Sequence, residues 1–284
     1  MDLRGVSVAF GEKVVLDNID LPLLAGSVTG LLGRNGSGKS TLLKHALGLL
    51  PHGQGTSSIF GEVVAMASPH ARGRLGYVPQ IFDAFQHLHV QECLDLVGGF
   101  YKTWDRSLVN RFRDAWCVDP TMRVDALSQG QQQLLSILLA IGHRPELLIL
   151  DEPMAALDPV ARRDILKGLI DINVESGTTI LLSSHIVSDV ERIASHLAIL
   201  HDAQLLYHGE LDELRASVQC LYLQGPVLPK QIADVLAYRI CPDHAQAWTL
   251  DWSQQRIEAF AQDHNLRVHI KPQSLEDAFI GMTT

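Results

Sequence analysis

The sequence predicts an α/β fold built on a parallel sheet, and three observations carry that prediction. The apolar run Val28-Thr29-Gly30-Leu31-Leu32 is followed at once by a glycine-rich turn, residues 33–38, and then by the helical sequence Leu42-Leu43-Lys44-His45-Ala46-Leu47. Leu147-Leu148-Ile149-Leu150 is a continuous apolar run ending in Asp151, the pattern of a parallel strand buried on both faces. Pro159 opens a helical stretch to about Ser176, and Thr178 to Ser184 then reads as another buried strand. Strands alternating with helices in this way form a parallel sheet with helices on its faces.

The remaining elements follow in chain order. Leu3–Phe10 and Val14–Leu24 have β character, broken by the Phe10-Gly11-Glu12 turn, and are expected to form an N-terminal antiparallel β subdomain. A Gly, Ser and Pro-rich passage from Pro51 to Gly73 contains an expected strand around Ile59 to Ala65, and Leu75-Gly76-Tyr77-Val78 is a strand ending at Pro79-Gln80. From His87 to about Asp119, Val90, Cys93, Leu94, Val97, Phe100 and Tyr101 recur at helical spacing. A helix from near Ser128 carries Leu134, Leu135, Leu138 and Leu139 and is closed by Pro145, so a helical insert is expected over about 87–143. Helix, strand and strand follow through Tyr207, and a helix Glu210–Ser217 is expected to cap a domain of residues 1–217. Residues 218–284 form an expected small α/β regulatory or accessory domain, with strands near Leu221 and Val268 and helices near Ile232–Leu236 and Gln254–Gln262.

Composition narrows the function classes. The 284 residues are 46% hydrophobic, ample for a packed core, and the net charge is −9. No cluster of Lys and Arg is long enough to track a phosphate backbone, so nucleic acid is not an expected partner. The basic pair in Ala161-Arg162-Arg163 reads as a solvated helix face. Cys93, Cys117, Cys220 and Cys241 are far apart with no C-x-x-C spacing, which argues against both a zinc site and a disulfide framework. His87 and His89 lack a third ligand nearby and are read as incidental. No stretch reaches the roughly 18 apolar residues that span a bilayer, so any membrane role is expected to come through a partner.

The turn itself carries chemistry. Gly33-Arg34-Asn35-Gly36-Ser37-Gly38-Lys39-Ser40-Thr41 fits the phosphate-binding spacing G-x-x-x-x-G-K-[ST], in which consecutive backbone N–H groups curl around phosphate oxygens at a helix N-terminus. Lys39 is expected to reach the β- and γ-phosphates and Ser40 to ligate Mg²⁺. The fold class is therefore a P-loop NTPase core. This motif alone indicates nucleotide binding without specifying the job.

Five further stretches, in order, make residues 1–215 or so resemble the nucleotide-binding subunit of ABC transporters. Gln80 matches the glutamine loop, Leu127-Ser128-Gln129-Gly130-Gln131 the signature loop, and Leu147 to Glu152 the Walker B strand with its extra glutamate. Ala156-Leu157-Asp158 matches the D-loop and Ser184-His185 the switch histidine; besides these five, Phe10 occupies the place of the aromatic that stacks on adenine. The resemblance implies ATP and Mg²⁺ as cofactors, with Asp151, Ser40 and Gln80 around the metal. Glu152 would then orient or deprotonate the attacking water, and His185 would donate to the γ-phosphate. Ser128 has a plain reading as a helix N-cap. In the family, however, the signature of one subunit closes over the γ-phosphate bound by another, which implies a homodimer with two composite sites. Gln129 replaces the usual glycine of the signature, and Met154-Ala155-Ala156 replaces the commoner polar lead into the D-loop.

The tail Ser274-Leu275-Glu276-Asp277-Ala278-Phe279-Ile280 resembles the ending common in type-two exporters, whose ATPase works with an integral membrane permease. Such a subunit sits on the cytoplasmic face of the inner (plasma) membrane. Gly99-Phe100-Tyr101-Lys102-Thr103-Trp104-Asp105, together with Ser183-Ser184-His185-Ile186-Val187, looks like one bacterial group of these, and Phe100, Tyr101 and Trp104 equally read as the core of the helical insert. The alternatives are an importer ATPase, or a soluble ABC ATPase acting on ribosome or DNA; the latter usually fuses two cassettes or carries long coiled coils, and this chain has neither.

Overall fold

The computed structural model describes residues 1–50, 53–271 and 273–283, and it divides into two compact units, Met1–Leu205 and Leu206–Thr284. Pro51 and His52, at the head of the Gly, Ser and Pro-rich passage, lie outside the described residues.

The first unit opens with β1 (Asp2–Phe10) and β2 (Lys13–Pro22), an antiparallel hairpin in which Phe10 pairs with Lys13 and Gly11 turns the chain at φ +62°. Then come β3 (Val28–Leu32), α1 (Lys39–Ala46), β4 (Gln54–Ile59), β5 (Glu62–Val63), α2 (Pro69–Arg72) and β6 (Leu75–Val78). The strand expected around Ile59–Ala65 is instead a hairpin corner. Phe60 and Gly61 both take positive φ, Ile59 ends β4, and β5 folds back antiparallel on it. β1, β2, β4 and β5 form one antiparallel sheet in the order β2-β1-β4-β5.

The helical insert is three helices, α3 (Val90–Gly98), α4 (Arg106–Ala115) and α5 (Gln129–Ile141). The helical spacing read through Phe100 and Tyr101 does not continue as helix. The chain breaks at Gly99, leaving Phe100 80% exposed, and restarts at Asp105, whose carboxylate accepts from Leu108 N at 2.9 Å as an N-cap. Tyr101 stacks on His143 (centroids 4.1 Å apart, 12° between planes), and Trp104 covers Gly98 and Gly142 so closely that a Cβ on Gly142 would overlap its ring. Of the three aromatics, Tyr101 and Trp104 are packing residues and Phe100 is not.

β7 (Leu147–Leu150), α6 (Pro159–Ser176), β8 (Thr179–Ser184), α7 (Val187–Glu191) and β9 (His196–His201) complete the unit. The parallel strands stand in the order β9-β3-β8-β7-β6, and β3, β7 and β8 are buried at every position. Register matters here: Leu32 lies opposite Ser184 and Leu150 opposite Leu182, so the loops leaving β3, β7 and β8 emerge side by side. Ligands of open α/β sheets bind at this carboxyl edge.

β10 (Gln204–Glu210) runs into the second unit, which therefore begins at Leu206 rather than at Val218. α8 (Leu211–Ser217) belongs to this unit and packs on one of its strands. That unit is a four-stranded antiparallel sheet of β11 (Val218–Gln224), β12 (Ala237–Ile240), β13 (Ala245–Leu250) and β14 (Arg267–Lys271) in the order β12-β13-β11-β14, with α9 (Gln254–Asp263) and α10 (Leu275–Met282). No helix forms at Ile232–Leu236. Asp234 adopts φ +56°, Ile232 is buried in the core although the residues beside it in the chain are not helical, and Leu236 N donates to Trp248 O at 2.7 Å. No helix among the described residues is long and apolar enough to cross a membrane.

Candidate nucleotide site

The site grows from the end of β3. Gly36 and Gly38 take φ +82° and +105°, a backbone that L side chains resist, and a Cβ on Gly38 would lie 2.9 Å from Val15 O. A Cβ on Gly33 would overlap Ser37 Oγ and approach Leu200 O to 2.7 Å. The turn is thus a backbone cradle leading into α1, with Arg34 and Asn35 exposed on its outer side and Ser40 and Thr41 half-buried in the first turn of the helix.

Lys39 is 5% exposed and folds back over the loop, its Nζ donating to Gly33 O at 2.7 Å and Arg34 O at 3.2 Å. The same Nζ lies 3.0 Å from Glu152 Oε1, and His185 Nδ1 is 2.8 Å from Glu152 Oε2. Glu152, 6% exposed and held at φ +48°, therefore bridges a helix start and a strand end remote from it in sequence. Asp151 next to it is 1% exposed, and its Oδ1 accepts from Ser183 Oγ at 2.8 Å. Three of the expected residues, Lys39, Glu152 and His185, converge in one cluster, and Asp151 is joined to it through the backbone.

The donor set fits Mg-ATP. The anion cradle is built by glycines, an ammonium faces it, and hard oxygen ligands suited to Mg²⁺ stand at Ser40 and Asp151. Ser37 Oγ and Glu152 Oε1 are buried without a hydrogen-bond partner, although the latter has its ion pair, so the hydroxyl can take a further donor or acceptor and the carboxylate oxygen a further donor. A cleft of about 600 Å³ runs beside Gly36 and Ser37, lined also by Lys13, Val15, Asp17 and Asp202. Phe10, 55% exposed, pairs in register with Lys13, one of the residues that line that cleft. A larger cleft of about 730 Å³ opens where β7 and β8 begin, at the other edge of the sheet. Its charged groups answer one another, Arg74 gripping Glu146 through two contacts of 2.6 Å beneath Phe60.

Other expected residues stand apart from the cluster. Gln80 is exposed just beyond β6, on a loop anchored by Gln133 Nε2, which donates to Pro79 O at 3.1 Å. Ser128 caps α5: its Oγ accepts from Gln131 N at 3.2 Å and Gln131 Oε1 accepts from Ser128 N at 3.1 Å. Within one chain Ser128 is thus an N-cap. Gly130 packs on the turn after β7, where a Cβ would meet Leu157 at 3.0 Å and Ala156 O at 3.2 Å. Asp158 caps α6, and the N–H groups of Ala161 and Val160 hold its carboxyl below the usual range. Arg162 departs from the solvated face read in sequence. Its Nε donates to Leu157 O at 3.0 Å and its Nη1 lies 3.8 Å from Asp189, whose carboxyl burial pushes up. Neither Gln133 nor Ser183 was given a site role from the sequence; their partners, Pro79 O and Asp151, lie outside their own elements, and no local pattern marks the contacts.

Comparison with known proteins agrees with this geometry. The sequence profile of the ABC transporter family matches residues 16–155. The chain is 30% identical over 295 residues to "Nod factor export ATP-binding protein I" of Sinorhizobium fredii, spanning 100% of this chain and 85% of that one. It is 31% identical over 215 residues to "ABC transporter ATP-binding protein YtrB" of Bacillus subtilis, across 76% of this chain and 73% of the relative. The fold is similar to a solved ATP-binding subunit of an ABC transporter, with TM-score 0.67 and 28% identity over 76% of this chain and 91% of that one. With a glycine cradle, a buried lysine and paired acidic residues at one sheet edge, and relatives of this kind along its whole length, the chain belongs to the ABC transporter family as one of its ATP-binding ATPase subunits.

Proposed function

We propose that this ATPase is the motor of a bacterial exporter, working as a homodimer beneath an integral membrane permease on the cytoplasmic face of the inner membrane. The observation that carries the catalytic part is the placement of Glu152 between Lys39 and His185 at the carboxyl edge of the sheet. Export is supported by the relative from Sinorhizobium fredii, which matches the whole chain and is named for Nod factor export.

In this reading the glycine cradle, Arg34 through Thr41, binds the phosphates and Phe10 stacks on the base. Ser40, Asp151 and Gln80 would hold Mg²⁺, which when bound would supply charge neutralisation along the phosphates. The γ-phosphate competes with Glu152 for the Lys39 ammonium, so nucleotide entry frees the carboxylate. Glu152 then takes a proton from water as the water oxygen bonds to phosphorus. The bond to the β–γ bridging oxygen breaks, giving ADP and inorganic phosphate. His185 holds Glu152 and the phosphate in register. Ser128, Gly130 and Gln131 of one protomer, with Asp158, close over the nucleotide of its partner. Export then depends on the permease, which meets the helical insert.

Co-expression with a polytopic protein encoded beside this chain tests the assignment. The expected result is a detergent-stable complex whose ATPase activity responds to the permease. Recovery of all the ATPase with ribosomes or DNA, and none in the membrane complex, overturns it.

A further inference from the structure

Between the strand that ends in Asp151 and Glu152 and the strand that leads to His185 lies one hydroxyl with two partners. Ser183 is 0% exposed. Its Oγ donates to Asp151 Oδ1 at 2.8 Å and accepts from Glu152 N at 2.8 Å. The register dictates the contact: Leu150 lies opposite Leu182, so the next residue of each strand meets at the sheet edge. The acceptor role also bears on Glu152, whose φ of +48° is unfavourable for a side-chain-bearing residue. A buried N–H in that conformation needs a partner, and Ser183 is the partner it has.

We propose that Ser183 is a positioning residue for this ATPase: one hydroxyl sets the rotamer of the Asp151 carboxylate and pins the backbone from which Glu152 projects. The inference rests on the assignment of Asp151 to Mg²⁺ and of Glu152 to the attacking water. The hydroxyl fixes which Asp151 oxygen is occupied by a protein donor, so that the other oxygen would be the one available to a cation. Through Glu152 N it also holds the carboxylate at the reach from which it meets both Lys39 and His185. Groups that orient a metal-bound carboxylate typically change metal affinity or activity by about 10- to 100-fold when removed.

The test is binding of a fluorescent ATP analogue to the full chain, measured with Mg²⁺ and with EDTA, beside turnover and thermal melting. Ser183→Ala is expected to bind nucleotide normally in EDTA and to lose about 10- to 100-fold of the Mg²⁺-dependent gain in affinity. Amide exchange at Glu152 should accelerate, because its N–H loses its acceptor. Ser183→Thr, which keeps the hydroxyl, is expected to restore most of the Mg²⁺-dependent gain. Equal weakening with Mg²⁺ and with EDTA, or a Ser183→Ala protein with the wild-type gain and unchanged exchange at Glu152, overturns the proposal. Asp151→Asn measured alongside separates the two levels. If it keeps the wild-type Mg²⁺-dependent gain, the metal assignment fails; if it loses that gain while Ser183→Ala keeps it, only the role of Ser183 fails.

Discussion

Exchange of Glu152 for glutamine tests the centre of the site with two effects of opposite sign. The side chain keeps its size and loses its charge, so the base is gone and hydrolysis should fall by roughly 100-fold or more. The Lys39–Glu152 pair is buried on both sides, 5% and 7% exposed, with N and O 3.0 Å apart. At an effective dielectric of about 20 that separation corresponds to about 5 kcal/mol of attraction, much of which offsets the desolvation of the two charges. A net 1 to 3 kcal/mol, roughly 5- to 150-fold in affinity, is left to oppose phosphate binding at Lys39 in the wild type. Glu152→Gln should therefore bind Mg-ATP more tightly by up to about that factor while failing to turn it over. With hydrolysis blocked, bound nucleotide should link two chains by mass action. The variant should elute as a dimer with Mg-ATP and as a monomer without it, and adding Ser128→Arg should abolish that dimer. Phosphate release, nucleotide titration and size-exclusion chromatography with light scattering read hydrolysis, binding and dimerisation in turn. A wild-type rate of phosphate release would refute the catalytic role. Unchanged or weaker ATP binding would refute the competition, and an inactive variant that stays monomeric with ATP would leave the composite site unsupported.

Three further outcomes follow from other parts of the structure. Phe10→Ala should weaken nucleotide binding by roughly 1 to 3 kcal/mol with little preference between ATP and GTP, since stacking tolerates different bases; unchanged affinity in a fluorescence titration would remove the platform. Gly142→Ala should destabilise the first unit by about 1 to 3 kcal/mol in urea unfolding, because the added methyl overlaps Trp104, and should cost little in a Trp104→Ala background; additive effects would contradict the packing. Burial lowers the pKa of the His143 imidazole, whose Nε2 bonds Leu75 O at 3.2 Å and whose Nδ1 has no hydrogen-bond partner. The unfolded chain therefore takes up the proton first, and stability present above the unfolded value near 6.5 is lost as pH falls toward the folded value. His143→Phe, which keeps a ring against Tyr101, should make the fall in melting temperature below about pH 6.5 shallower; an unchanged slope would assign the acid sensitivity to other groups.

Much of the nucleotide site is legible in sequence because its signals are local. A glycine loop between an apolar strand and a helix must bend where Gly36 and Gly38 allow positive φ, and a strand buried on both faces must be apolar until its tip, where Asp151 and Glu152 stand. Helix starts are legible for the same reason. Ser128 and Asp158 satisfy N–H groups within three residues of themselves, and Pro159 fits a first turn. Local signals also mislead where a contact from afar wins. The spacing through Tyr101 suits a helix, yet His143 and Gly142 hold Tyr101 and Trp104 in a connecting turn. The apolar residues around Ile232 suit one too, yet β13 holds Leu236 in the sheet layer. The chemistry that only tertiary structure decided is the joining of Lys39, Glu152 and His185, and the seating of Ser183 on Asp151. Residues far apart along the chain, 32 positions for Asp151 and Ser183 and 33 for Glu152 and His185, meet because neighbouring parallel strands share one register, and a register is a property of pairs of strands that neither strand carries alone.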